Sequence, residues 1–281
     1  MEYGKQIGDF FQALWQDFLS IAPQAAELKK KLEESGEQVI NDHVAFRTFN
    51  IEPYNITTIE QLFFRIGYQR LESYQFENKH LKAWSYICPN DRGGTDYPLI
   101  FLSELLVEQL SQNSIDIIHK LLDSVPEGGN TSFFDASAVL FPTGRPWKSP
   151  KYQDYLALSH ESEYAAWLSA HGFRANHFTI SVNHLMQLTS IESVLQWAEK
   201  EGFSINSSGG RVKGTPALCL EQGSTMADLI PVSFFDGNEQ SVPGGFYEFA
   251  FRFNKEDGKR FYGFVEGNAD KIFESTDRNP E

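Results

Sequence analysis

In the stretch NDHVAFRTF, residues 41–49, His43 and Arg47 stand four positions apart in a run that is otherwise mostly apolar. Side chains two or four apart on a strand share a face, so His43, Ala45, Arg47 and Phe49 point one way and Val44, Phe46 and Thr48 the other. A second histidine, His177, begins the strand-like NHFTISVN with Thr179 and Ser181 on its face, and Glu248 sits between aromatic residues in FYEFAFR. A carboxylate in such surroundings is costly without a partner, and a bound cation offsets that cost. Two neutral imidazoles and one carboxylate, brought from three separate strands, match the facial triad that holds Fe(II) while leaving positions open for a substrate and dioxygen. The three residues are spread over 205 positions and form no local motif. A plainer reading therefore stands beside the first: His43 as a satisfied core or surface histidine and Arg47 as a structural ion-pair partner.

These residues need elements to position them, and the elements repeat. The first 35 residues read as helical, with Phe10, Phe11, Leu14, Trp15 and Phe18 at helical spacing. After the strand at 42 comes a helix, NITTIEQLFFRIGY, closed by Gly67, and then strand-like QRLESYQF, KAWSYICP and YPLIFLSEL. The order recurs: strand NHFTISVN, helix SIESVLQWAEKEGF closed by Gly202, strand-like ALCLEQGS, and GFYEFAFRF. His43 precedes Gly67 by 24 positions and His177 precedes Gly202 by 25. Glu104 ends the first copy as Glu248 ends the second, which suggests equivalent places in a weak internal repeat. The expected architecture is α+β: two βαβββ-like halves, 41–104 and 175–253, sharing one sheet, with helices packed around it. An N-terminal helical segment (1–35) and a helical insert (about 105–170) complete one domain spanning residues 1–281. In the insert, LLVEQLSQNSIDIIHKLLDSV and ESEYAAWLSAHG read as helices, and PEGGNTSFFD and FPTGRPWKSPKYQ as loops.

Composition excludes several functions. The 38 acidic residues outnumber 24 Lys and Arg, for a net charge of -14, which repels a phosphate backbone and argues against nucleic acid. No run approaches the ~18 apolar residues of a membrane span, and the first residues lack a basic, then apolar, leader, so a cytoplasmic protein without a membrane partner is expected. Cys88 and Cys219, with no CxxC partner, are expected to be buried, reduced thiols.

The blocks DHVAFRTF, NHFTIS, QGSTMAD and DGNEQSVPGGFYEFAFR, in this order, resemble the 2-oxoadipate dioxygenase/decarboxylase (hydroxyglutarate synthase) family over most of the chain. The resemblance implies a vicinal-oxygen-chelate-like fold, a bound Fe(2+), and conversion of 2-oxoadipate and O2 to 2-hydroxyglutarate and CO2 in lysine breakdown. Carried over position by position, it implies His43, His177 and Glu248 as metal ligands, with the two histidines beside the substrate, and Arg47 as the catalytic residue that grips it. Well-known members are longer and add a substrate contact from a C-terminal region that this chain is expected to lack. The chemistry is coherent: a 2-oxo acid chelates Fe(II) through its keto oxygen and carboxylate, one position remains for dioxygen, and a planar arginine fork holds a distal carboxylate better than a lysine point charge.

Two other functions suit the same fold type: a Zn(II)- or Ni(II)-dependent isomerase or lyase that consumes no oxygen, and a small-molecule binding protein without catalysis. Among the remaining candidates, Glu104 reads as a fourth ligand or an exposed carboxylate at a strand end. Gln222 and Ser224 share a face that could line the pocket. His80, His119, His160, His171 and His184 read as loop or surface residues without chemistry. SSGGRVKGT (207–215) reads as a mobile loop near the site, and Gly244 and Gly245 as a tight turn or bulge leading into the Glu248 strand.

Overall fold

The computed structural model describes residues 2–91, 94–126 and 144–277. Ten strands are present among these residues: β1 (Asn41–Phe49), β2 (Gln69–Phe76), β3 (Leu81–Ile87), β4 (Leu99–Leu105), β5 (Ala175–Ser181), β6 (Lys213–Thr215), β7 (Leu220–Ser224), β8 (Leu229–Ser233), β9 (Glu239–Pro243) and β10 (Phe246–Arg252). Eight form one curled sheet in the order β2-β3-β4-β1-β5-β10-β7-β6. The two histidine strands, β1 and β5, meet antiparallel at its centre. Away from that seam each half repeats the same pairing. β1 runs parallel to β4, which is antiparallel to β3, and β5 runs parallel to β10, which is antiparallel to β7. The two expected βαβββ halves are thus present, the second interrupted by a β8–β9 hairpin that pairs only with itself.

The crossover helices are specified alike in both halves. Helix α3 (Ile56–Arg65) starts at Asn55, whose side chain accepts from the Thr58 N–H, and its counterpart Ile191–Lys200 starts at Ser190 in a capping box with Ser193. They are followed by Gly67 at φ +90° and Gly202 at φ +96°, the left-handed backbone that glycine adopts without strain. Strand alternation then sorts side chains to the two faces. Outward, Phe178 packs on Trp15 and Phe18 of α1 (Glu2–Phe18), both at 5.1 Å, and Phe46 packs on Phe63 of α3 at 6.0 Å. Inward point His43, Arg47, His177 and Glu248. β5 is buried along its whole length, so its polar residues sit inside the molecule. A second N-terminal helix, α2 (Pro23–Glu34), completes the expected helical segment.

Several expectations need correction. Pairing places Glu104 opposite Thr48, five residues after His43, whereas Glu248 lies opposite Thr179, two residues after His177. The true counterpart of Glu248 is Phe101, opposite Ala45. Glu104 is neither ligand nor exposed: its carboxylate is buried, accepts from the Ile56 N–H at 2.7 Å at the start of α3, and pairs with Lys82 at 2.9 Å. His171 is also buried, its Nε2–H donating to the Pro243 carbonyl. Both cysteines are free but half-buried. The insert contains helix α4 (Gln112–Asp123), shorter than expected, and two consecutive helices, α5 (Tyr152–Glu161) and α6 (Glu163–His171), the first within a stretch that reads as partly loop. The loop read from PEGGNTSFFD lies almost wholly outside the described residues. Gly244 and Gly245 serve close approach and not a turn: a Cβ at Gly244 would meet the Ile21 carbonyl oxygen at 2.0 Å, and one at Gly245 the Phe18 ring at 2.6 Å. Finally, α7 (Ile191–Lys200) and α8 (Glu266–Phe273) close the helix count among the described residues, and α8 covers the inner face of the sheet.

Candidate metal centre

Three strands each deliver one ligand-type side chain to a common point. One atom from each of His43, His177 and Glu248 lies within 4.8 Å of the other two. Glu248 Oε2 is 3.0 Å from His177 Nε2 and 3.6 Å from His43 Nε2. The carboxylate is fully buried, and this Oε2 makes no hydrogen bond of adequate geometry among the described residues. An ionised carboxylate in such a place is unfavourable by several kcal/mol unless a positive charge meets it. Burial works against its ionisation, but His43 and His177 outweigh burial and hold the carboxyl at about 2. The site therefore presents a bare carboxylate oxygen and two imidazole nitrogens, a donor set that suits a divalent transition metal.

The surrounding contacts orient these donors. Asp42 Oδ1 lies 2.8 Å from His43 Nδ1, and Asn176 Oδ1 lies 3.1 Å from His177 Nδ1. In each ring the proton on Nδ1 is thereby engaged, which turns the Nε2 lone pair toward the centre; the Thr179 hydroxyl meets that of His43 at 3.1 Å. Asp42 is itself fixed by Arg252, whose Nε and Nη2 donate to it at 2.9 Å, while Nη1 donates to the Gly263 carbonyl at 2.7 Å. Burial opposes the Asp42 charge, but Arg252 and His43 outweigh it and keep the carboxyl well below its ordinary range. For His43, burial disfavours the cation, but Glu248 and Asp42 outweigh burial and raise its pKa. For His177, burial dominates and the pKa falls. Glu248 Oε1 accepts from Gln222 Nε2 at 2.6 Å, and Gln222 Oε1 accepts from Asn268 of α8 at 3.1 Å.

Of the residues singled out in the sequence, His43, His177, Glu248 and Gln222 come together. Ser224 instead hydrogen-bonds Ser275. In the 207–215 stretch, Lys213 is a buried amine held by the Asn206 carbonyl at 2.6 Å, its pKa lowered by burial to about 8 despite the opposing charge of Glu248. Arg47 shares the inner face, but its guanidinium is engaged by the protein itself: Nη1 donates to Glu163 and Nη2 to Thr276, both at 2.8 Å, between the rings of Tyr164, Trp167 and Phe273. Sequence reasoning missed Asp42, Asn176, Arg252 and Phe264, whose ring meets His43 edge-on at 4.8 Å. A signal for Arg252 existed, because it lies four residues beyond Glu248 and so on the same strand face. The cover from α8, Ala269, Ile272 and Phe273, was also unread.

A curled mixed sheet built from two βαβββ halves, with polar donors at its centre, is a vicinal-oxygen-chelate-like fold. The likeness extends to the crystal structure of a glyoxalase-superfamily protein from Ralstonia eutropha, at TM-score 0.77 and 19% identity over 94% of this chain and 87% of that one. Within that fold the chain belongs to the 2-oxoadipate dioxygenase/decarboxylase family, whose model matches residues 5–262. It is 37% identical to the chloroplastic/amyloplastic 2-oxoadipate dioxygenase/decarboxylase of Oryza sativa, over 92% of this chain and 75% of that protein. The crystal structure of an Oryza sativa hydroxyglutarate synthase in complex with 2-oxoadipate superposes at TM-score 0.84 with 35% identity, over 96% of this chain and 92% of that one. Like its named relatives it is an enzyme. No helix among the described residues is long and apolar enough to cross a membrane.

Proposed function

We propose that this chain is an Fe(II)-dependent dioxygenase/decarboxylase acting on a 2-oxo dicarboxylic acid, with 2-oxoadipate and O2 giving 2-hydroxyglutarate and CO2, a step of lysine breakdown. The observation that carries the proposal is the buried carboxylate oxygen of Glu248, unbonded and facing two imidazole nitrogens, in a member of a family named for this reaction. His43, His177 and Glu248 are the residues that hold the metal. When bound, Fe(II) supplies Lewis-acid chelation of the 2-oxo acid and the electrons for reaction with dioxygen. The protein's own work is placement. Asp42 and Asn176 fix the two rings, and Gln222 fixes the carboxylate. Phe101, Phe264, Ile272 and Phe273 keep the space beside the triad largely apolar. Arg47, on the same strand face as His43, is suited to pair with the carboxylate at the far end of the substrate and so orient the reacting end.

The test is oxygen uptake by Fe(II)-loaded protein with 2-oxoadipate, followed by mass spectrometry under 18O2. Equal amounts of O2 consumed and CO2 released are expected, with label in the product and no need for 2-oxoglutarate as co-substrate. Full turnover without oxygen defeats the proposal and favours the redox-inert isomerase or lyase.

A further inference from the structure

The free space beside the triad is about 20 Å³, room for a water or two and far less than a six-carbon diacid needs. Substrate entry therefore requires a wall to move, and two larger cavities border the site. One, of about 390 Å³, touches Asp42 and Arg252, but that wall is the buried, multiply bonded pair that orients His43, backed by Phe264 at 4.9 Å from the Arg252 guanidinium carbon. The other, of about 320 Å³, is lined by Lys79, His80, Glu163, Tyr164 and Phe273 among others. Phe273 lines this cavity and the space at the triad alike, and stands at the C-terminal end of α8. Phe273 therefore borders both spaces.

At the same place the Arg47 guanidinium is only partly satisfied. Its side chain is 1% exposed, and its Nε has no hydrogen-bond partner among the described residues. Its one carboxylate partner, Glu163, reaches in from the rim with a side chain 22% exposed and gives Nη1 a single oxygen. Its other partner, Thr276, lies three residues beyond Phe273. A carboxylate on a flexible rim side chain, bound through one oxygen, is chemically what the distal end of a 2-oxo diacid would present.

We propose that Glu163 is a specificity-determining gate: it occupies Arg47 in the resting enzyme, and a substrate enters through the Lys79–Glu163 cavity only if its far end is an anion able to displace Glu163 and, with it, the Phe273–Thr276 segment. This inference rests on the reading of Arg47 as the substrate clamp. Displacement charges every incoming ligand the free energy of breaking the resident pair, so apparent affinity is lowered by the fraction of molecules in which Arg47 is free. A 2-oxo monoacid cannot recover that cost through Arg47, whereas a diacid can.

The experiment is calorimetric titration of the metal-loaded protein, kept anaerobic, with 2-oxoadipate and with the monoacid 2-oxohexanoate, for the parent, E163Q and R47K. Glu163→Gln keeps the side chain's shape but not its charge. It is expected to tighten 2-oxoadipate binding by roughly three- to tenfold and to tighten 2-oxohexanoate at least as much, because neither ligand then has a resident ion pair to break. A purely structural Glu163 would weaken both ligands or neither. If R47K weakens 2-oxoadipate binding but E163Q does not tighten it, the gate is overturned and the clamp survives. If R47K and the parent bind 2-oxoadipate equally, the clamp reading falls, and the gate with it. Glu163→Ala is the second variant, checked by its melting temperature, and tightening of both ligands is expected there too.

Discussion

Phe101 stands to His43 as Glu248 stands to His177: each lies on the strand running parallel to its histidine strand, opposite the residue two beyond the histidine. The two halves thus bring four equivalent positions to the centre, of which three carry donors and one a phenyl ring that lines the space beside the triad. If the triad holds a metal, the phenyl side is where a further ligand would reach it. Replacing Phe101 with Glu should close that side with a fourth donor. A second buried carboxylate destabilises the metal-free protein, so the rise in melting temperature on adding metal should be larger in F101E than in the parent, while turnover is lost. An unchanged metal-dependent rise would show that the fourth position does not face the ion.

Removal of one donor tests the triad directly. His43→Ala, His177→Ala and Glu248→Ala should each lose stoichiometric metal under anaerobic purification. The far-ultraviolet dichroism should stay near that of the metal-free parent, since the outward-facing rings of Phe178, Tyr247 and Phe249 carry the core and these three residues do not. Metal analysis decides the matter: H177A with a full complement of iron removes His177 from the site.

Asp42 is joined to His43 of the triad on one side and to Arg252 on the other. Asp42→Asn should weaken metal binding about 10- to 100-fold, the usual effect of losing a carboxylate behind a ligating imidazole. It should also destabilise the metal-free protein by about 3–5 kcal/mol, because Arg252, 3% exposed, is left as an uncompensated charge. Chelator competition and urea unfolding measure the two effects separately. Unaltered metal affinity with lowered stability would make Asp42 a purely structural partner of Arg252.

The parts of this site that were legible in the sequence are those where a polar residue interrupts an apolar alternation. His43, His177 and Glu248 stand out because period-2 patterning assigns them to an inner face. Glu104 was placed wrongly because the end of a strand is visible in sequence, whereas its register against β1 is set by pairing with Thr48 across 55 intervening positions. The hairpin β8–β9 was hidden by Pro231 and Pro243, which read as strand breakers although both fit an isolated two-stranded ribbon. Helices α5 and α8 begin at Lys151 and Val265, neither with a side-chain cap, so the strongest helix-start signal is absent from both. The missed α8 is the costliest omission for function, since it supplies the cover of the centre.

His171 gives a pH dependence with a definite sign. Its ring is buried against Trp167 at 4.9 Å, and its Nε2–H donates to the Pro243 carbonyl at 2.7 Å. Burial, with added repulsion from Arg174 and Arg145, lowers its pKa to about 3. In the unfolded chain the ring titrates near its ordinary value of about 6.5. Between these values the unfolded state holds a proton that the folded state refuses. The stabilising contribution is therefore complete above pH ~6.5 and is lost as pH falls toward 3, at up to about 1.4 kcal/mol per pH unit. His171→Gln retains an N–H for the Pro243 carbonyl but cannot titrate. Urea unfolding between pH 7 and 4 should show a shallower acid limb for H171Q than for the parent, by close to one proton, even if the variant is less stable at pH 7. Parallel limbs would mean that His171 is protonated in the folded protein and that the acid sensitivity arises at the carboxylates.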